Sequence, residues 1–328
     1  MISYSTMKAF YRTTYGSPEV LSLKEIPEPK AKANEVLVKV HYSSINRTDT
    51  GFLTGRPLFA RLIIGLFGPR QHVLGCEFSG IVKAVGAEVT RFKIGDRVFA
   101  FNEKQFGGHA DVAVMDAEGA IAHIPENIDD AKAAALFEGA HYALVDIRAA
   151  KVQAGQNILI NGGTGAIGSA AVQICKAWGA KVTAVCHSEH MAKVTALGAD
   201  KVIAYDQEDF TSVNESFDFI FDAVGKSSFK ACKKILAEKG IYISTELGPR
   251  NENPFLALTA RFRKGKKVLF PIPYQTKEDA IYFAQLAKEG KYSPLIDRIA
   301  AFHEIPQLFD YVLSGKKIGN VIIRVNDI

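Results

Sequence analysis

The run Gly163-Thr164-Gly165-Ala166-Ile167-Gly168 constrains this chain more than any other stretch. It follows a short apolar segment, Asn157-Ile158-Leu159-Ile160. It opens a segment in which Ile167, Ala171, Ile174, Cys175 and Trp178 recur at helical spacing. A strand that turns through glycines into a helix belongs to a doubly wound α/β sheet. In that setting each glycine has a mechanical reading. The first makes the turn, the second lets a diphosphate approach the backbone, and the third lets the helix pack on the strand. The helix start then offers unpaired N–H groups and the positive end of its dipole to the phosphates. Glycines meet at this spacing by chance elsewhere, so the flanking strand and helix carry the dinucleotide reading.

The text on either side agrees. Lys181–Cys186, residues 201–205, 217–221 and 240–244 read as further strands, and residues 189–197 as a helix. Before this region the chain reads as β structure. Residues 35–42 alternate, and residues 78–86 and Arg97–Phe101 are similar short runs set off by Gly86, Gly95-Asp96 and Gly107-Gly108. The pattern changes near Ile128, where Asp129-Asp130 is expected to cap a helix running through an Ala-rich segment. Residues 276–289 read as an amphipathic helix and residues 319–325 as a last strand. The expected division is a β domain over residues 1–128, a doubly wound parallel-sheet domain over 129–265, and a tail over 266–328 that returns to the first domain.

Composition narrows the class. The 328 residues suit two domains, and 48% hydrophobic residues suffice for two cores. A net charge of +5 gives no footprint for nucleic acid. The four cysteines, Cys76, Cys175, Cys186 and Cys232, are scattered, which excludes a zinc lobe of clustered thiolates and fits a reducing compartment, hence a cytoplasmic location. Residues 1–9 lack a signal-peptide pattern, and the apolar residues 58–67 are too short to span a bilayer. No membrane partner is expected. The basic run over residues 261–267 reads as a solvated loop.

The tip of the second sheet strand selects the cofactor. A carboxylate there would bind the ribose 2′-hydroxyl of NAD and repel a 2′-phosphate. This chain has Cys186-His187-Ser188. NADP(H) is therefore favoured over NAD(H), with Ser188 donating to the phosphate and Tyr205 lining the adenosine end, although Glu189 stands against this.

Several stretches together carry a family resemblance. They are Tyr15-Gly16-Ser17-Pro18-Glu19-Val20-Leu21, Glu35-Val36-Leu37-Val38-Lys39-Val40, Leu74-Gly75-Cys76-Glu77-Phe78-Ser79-Gly80-Ile81-Val82, Gly95-Asp96-Arg97-Val98, Gly107-Gly108-His109-Ala110, the glycine turn, and Phe221-Asp222-Ala223-Val224-Gly225. From Met7 onward the chain resembles the medium-chain dehydrogenase/reductase superfamily, in its zinc-free, quinone-oxidoreductase-like branch. The first six residues look like an extension.

The resemblance implies a GroES-like β-barrel catalytic domain built from both chain ends, a Rossmann domain between them, and a homodimer. It implies that Asn46 lies near the nicotinamide ribose. It also implies that Gly163, Thr164, Gly165, Ala166 and Ile167 form the pyrophosphate turn, and that Val224 touches the cofactor. His141, a further candidate cofactor contact on the nicotinamide side, stands where the family usually has Thr. Zinc dehydrogenases of the superfamily carry ligands where this chain has Asn46 and Cys76, and no Cys follows within residues 131–151. No metal is expected. Without a Lewis acid, quinones and α,β-unsaturated carbonyls are the expected acceptors, because conjugation spreads the charge left by hydride transfer. Asn46 and Asp49 are the candidate catalytic residues. The alternatives are a zinc-free alcohol dehydrogenase or carbonyl reductase, and a catalytically silent NADPH-binding sensor.

Overall fold

The computed structural model describes residues 5–58, 61–262 and 264–326. Residues 1–4 of the N-terminal extension, 59–60 of the apolar segment and 263 of the basic run lie outside the described residues. Chain contacts divide the molecule into two units. The first comprises Met1–Phe137, Gln275–Gly290 and Ile296–Ile328, and the second Glu138–Tyr274 and Lys291–Leu295.

The hub of the first unit is the strand Glu35–Ile45. Every residue of it except Lys39 is buried, so the expected alternation is lost. The cause is its central position. It pairs antiparallel with Glu77–Val85, Val112–Asp116 and Asn320–Arg324. Among the described residues the sheet is seven-stranded. It runs Ile296–Ala301, Asn320–Arg324, Glu35–Ile45, Glu77–Val85, Arg97–Phe101, Ile121–His123, with Val112–Asp116 also on the hub strand. The last strand thus brings the chain's end back to its beginning, with Val321 opposite Ile45. A separate antiparallel pair, Thr6–Tyr11 with Ser22–Pro27, adds Met7 and Ala9 to a small core beside Leu37, Ala110 and Val112.

The first unit ends after Phe137 rather than at Ile128, and a polar cluster explains the difference. The Ala-rich segment is not one helix. Asp129 caps a single turn, Asp130–Ala133, by accepting from the Lys132 N–H at 2.8 Å. A second helix, Glu138–Ala150, follows in the other unit. The short turn is pinned to the β sheet. The buried Asp130 carboxylate binds His41 Nδ1 at 2.8 Å and the Arg97 guanidinium, while Ser79 Oγ donates to the Asp130 carbonyl at 2.6 Å. Burial alone would raise the Asp130 carboxyl, but His41 and Arg97 outweigh it and hold it below the usual range.

The second unit carries a parallel sheet, six-stranded among the described residues. Its order is Lys201–Ala204, Lys181–Cys186, Asn157–Asn161, Phe217–Asp222, Leu236–Ser244, Lys267–Val268. The order reverses between Asn157–Asn161 and Phe217–Asp222, the point at which such sheets open a ligand crevice at their carboxyl ends. Leu159, Val185, Ile203, Ile220, Tyr242 and Val268 meet in its core. Each such side chain contributes about 1.5–3 kcal/mol on burial. Val268 lies beyond the expected boundary at 265, because the sheet needs one more strand at its edge. The helix expected over 189–197 is a short 3₁₀ turn, Ser188–His190, followed by Met191–Ala196.

Candidate active site

The glycine turn follows the strand Asn157–Asn161 and leads into the helix Ala166–Ala177. Gly162, one residue ahead of the expected run, makes the turn. Its φ is +91°, and a Cβ there would meet Val224 Cγ1 at 2.4 Å. Gly163 has no positive φ, which corrects its role as the turning glycine. The N–H groups of Gly162 and Gly163 both donate to the Val185 carbonyl, fastening the turn to the neighbouring strand. Gly168 packs the helix on the strand, since a Cβ there would lie 2.1 Å from the Gly162 carbonyl oxygen. Gly165 differs from both. A Cβ on it would meet only that same oxygen, at 3.5 Å, so open space lies beside it. No side chain caps the helix start. An uncapped helix N-terminus with space in front of it is the arrangement a diphosphate requires.

Val224 lies against this turn, as its contact with Gly162 shows. Its loop is organised by Asp222, which the sequence reading did not single out. That buried carboxylate accepts from Asn161 Nδ2 at 3.0 Å, the Ser227 N–H at 2.8 Å and the Tyr242 hydroxyl at 3.1 Å. Burial and Asp222 push the Tyr242 hydroxyl pKa upward, so it stays a donor.

The strand tip differs from its sequence. Ser188 is not free to face a phosphate. Its N–H and hydroxyl donate to the two oxygens of Asp206, at 2.8 and 2.7 Å. The hydrogen bond from Ser188 holds the Asp206 carboxyl below the usual range. A carboxylate therefore does stand at the tip, brought from beyond the next strand. The premise that none is present is corrected. Tyr205 is exposed, sets its ring edge-on to His187, and lines a surface cleft of about 390 Å³ with Asp206 and Phe210.

In the first unit, Asn46 precedes the helix Arg47–Thr54 and is buried. Its amide orientation is fixed by Lys317, whose ammonium reaches the Asn46 oxygen at 3.0 Å. An ammonium only donates, so the facing atom must be Oδ1. Nδ2 then donates to Asn320 Oδ1 at 3.0 Å. The sequence reading missed both Lys317 and Asn320. The only signal for them was a pair of lysines and a glycine ahead of the last strand.

Asp49 is fully buried, and backbone groups occupy its carboxylate. Oδ2 accepts from the Asn46 N–H at 3.2 Å, and Oδ1 from Gly75 at 3.0 Å and Cys76 at 3.3 Å. Cys76 Sγ lies 3.7 Å from Oδ2. Burial pushes the Asp49 carboxyl up to about 6 against these hydrogen bonds. The geometry makes Asp49 a strut that joins two loops. Glu77 is a second strut, accepting from the Phe137 N–H at 2.6 Å and from Ser44 Oγ at 3.2 Å. His109 is buried and donates Nε2–H to the Ser44 carbonyl at 3.0 Å. Burial pulls its imidazole down to about 4, so it is neutral at ordinary pH. His141 is buried in the helix Glu138–Ala150 of the second unit, with its ring 5.3 Å from that of Tyr142.

Two family descriptions match the chain. Residues 32–126 match an alcohol dehydrogenase GroES-like domain, and residues 197–323 a zinc-binding dehydrogenase. The chain is 34% identical to an NADPH-dependent alkenal/one oxidoreductase of Arabidopsis thaliana chloroplasts, over 97% of this chain and 79% of that protein. It is 31% identical to a quinone oxidoreductase of Sus scrofa, over 94% and 95% respectively. The solved structure of a quinone oxidoreductase from Coxiella burnetii superposes with a TM-score of 0.86 at 27% identity, covering 98% of this chain and all of that one.

Proposed function

This chain belongs to the medium-chain dehydrogenase/reductase superfamily, in its quinone-oxidoreductase-like branch, and from that premise we propose that it is a zinc-independent, NADPH-dependent reductase of quinones or α,β-unsaturated carbonyls. The observation that carries this reading is the Lys317 ammonium on Asn46 Oδ1.

A catalytic zinc takes three protein donors, thiolate, imidazole or carboxylate, and keeps a fourth position for water or substrate. Here the Asn46 oxygen already holds a cation, and a dication beside Lys317 would be repelled. Asp49 and Cys76 are held to each other and to the backbone. The Lys317 contact on Asn46 is what supports a reaction without zinc.

The turn residues do fit the cofactor. Gly163, Thr164, Gly165, Ala166 and Ile167 bind the diphosphate through the backbone and the helix start, Val224 packs on the turn, and Tyr205 and Ser188 serve the adenosine end. When bound, the nicotinamide supplies a hydride. The chain supplies positive potential for the electron pair that arrives on the substrate oxygen. We assign this to Lys317 and the Asn46 amide that it orients, and Lys317 can also hold the proton that the oxygen finally takes. A conjugated acceptor asks for no more polarisation than this.

NADPH is the proposed coenzyme, in line with the names of the relatives. Asp206 limits the preference over NADH, because a 2′-phosphate must take Ser188 from it. A panel of quinones, enones, aldehydes and simple ketones, followed by loss of NADPH absorbance, tests the reading. Turnover of the first two classes alone is expected. Turnover confined to simple ketones would overturn it.

A further inference from the structure

Residues 50–76 contain Arg56, Arg61 and Arg70 and no Asp or Glu. Within them four apolar side chains of the segment after the Arg47–Thr54 helix are exposed. Leu58 is 67% exposed, Leu62 69%, Leu66 54% and Phe67 100%. Leaving such side chains in water forgoes the stabilisation that burial gives every other large apolar residue.

The exposure is built into the fold. The Tyr15 hydroxyl donates to the Gly65 carbonyl at 2.8 Å, and the Arg61 guanidinium stacks over the Tyr15 ring at 4.6 Å. Arg61 Nε also donates to the Gly55 carbonyl at 3.1 Å. Buried Arg12 ties down the base through the carbonyls of Phe52, Leu53 and Gln71. Gly65, at φ +127°, reverses the chain, and the Arg70 N–H donates back to the Ile64 carbonyl at 3.0 Å. Polar bonds thus anchor the base while Leu62, Leu66 and Phe67 form an apolar crest.

We propose that this crest is a docking surface for an anionic phospholipid bilayer. Apolar fingers enter the acyl boundary, and the exposed Arg56 beside them pairs with a lipid phosphate. The charge decides among occupants. A second copy of this chain would set arginine against arginine across a two-fold axis, whereas an anionic leaflet complements a segment that has no acid. Four apolar side chains beside so few cations give reversible attachment and not insertion. The proposal does not depend on the reaction.

Sedimentation of the full chain with vesicles tests it. Vesicles of phosphatidylcholine mixed with phosphatidylglycerol are expected to pellet the protein, with binding that falls as salt rises, and vesicles of phosphatidylcholine alone to pellet far less. A Leu62→Ser/Phe67→Ser double variant is expected to lose binding about tenfold or more while keeping its Tm and its rate of NADPH oxidation. Arg56→Gln is expected to weaken binding about fivefold. Equal pelleting of the double variant, or no pelleting with anionic vesicles, overturns the proposal. So does a dimer that the double variant dissolves while vesicles capture neither form, which would assign the crest to a second copy.

Discussion

Lys317 and Asn46 meet although 271 positions separate them in the chain. A contact of that kind leaves no local trace in the sequence, so Asn46 was legible only through its resemblance and Lys317 was not legible at all. Lys317→Met is expected to lower kcat/KM for a quinone about 10–100-fold with the Kd of NADPH little changed, and Lys317→Arg to keep much of the activity. Equal losses in both variants would make the residue a structural tie. Asp206 and Ser188, 18 positions apart, were hidden for the same reason. Asp206→Asn is expected to lower the KM for NADPH and to raise that for NADH. A fall in both alike would remove Asp206 from the 2′ site. Asp146, buried in the helix Glu138–Ala150, gives a pH test. Burial raises its carboxyl from 3.8 to about 8. The folded chain then keeps a proton that the unfolded chain gives up, so stability is full below about pH 4 and falls as pH rises toward 8. Asp146→Asn is expected to raise Tm at pH 8, an effect on the order of a few kcal/mol, and to change little at pH 4. Thermal melts with equal shifts at both pH values would contradict this.

At the scale of the element, the glycine turn separates folding from binding. Gly162 and Gly165 stand three residues apart, yet only Gly162 needs positive φ and abuts Val224. Gly162→Ala is expected to cost about 1–3 kcal/mol of stability. Gly165→Ala is expected to melt like the wild type and to raise the KM for NADPH, because its Cβ enters the space left for the diphosphate. Melting curves and cofactor titrations of the pair check this, and a destabilised Gly165→Ala would contradict it. Local rules made this element readable, since the strand, the glycines and the helix are contiguous. They were less useful for the Ala-rich segment, where the Asp130–His41–Arg97 cluster stops the first turn through tertiary bonds. They failed for the pair Thr6–Tyr11 and Ser22–Pro27. Its second strand is largely exposed and shows no alternation to read.

At the scale of the whole molecule, the sheet orders follow from patterning that the sequence displays. The parallel sheet came from alternating strands and helices. The return of Asn320–Arg324 to Glu35–Ile45 was expected from the resemblance and from the apolar final strand. The chemistry is less evenly spread. The glycine turn is local, whereas the Lys317–Asn46 pair and the exposed apolar crest depend on where distant segments fall. The central claim is that an ammonium-held amide does the work a zinc does elsewhere in the superfamily. The most direct test measures NADPH oxidation by a quinone and zinc content on the same chelator-treated sample. Full turnover with substoichiometric zinc is predicted. Turnover that vanishes with the chelator and returns in proportion to added zinc would contradict the account.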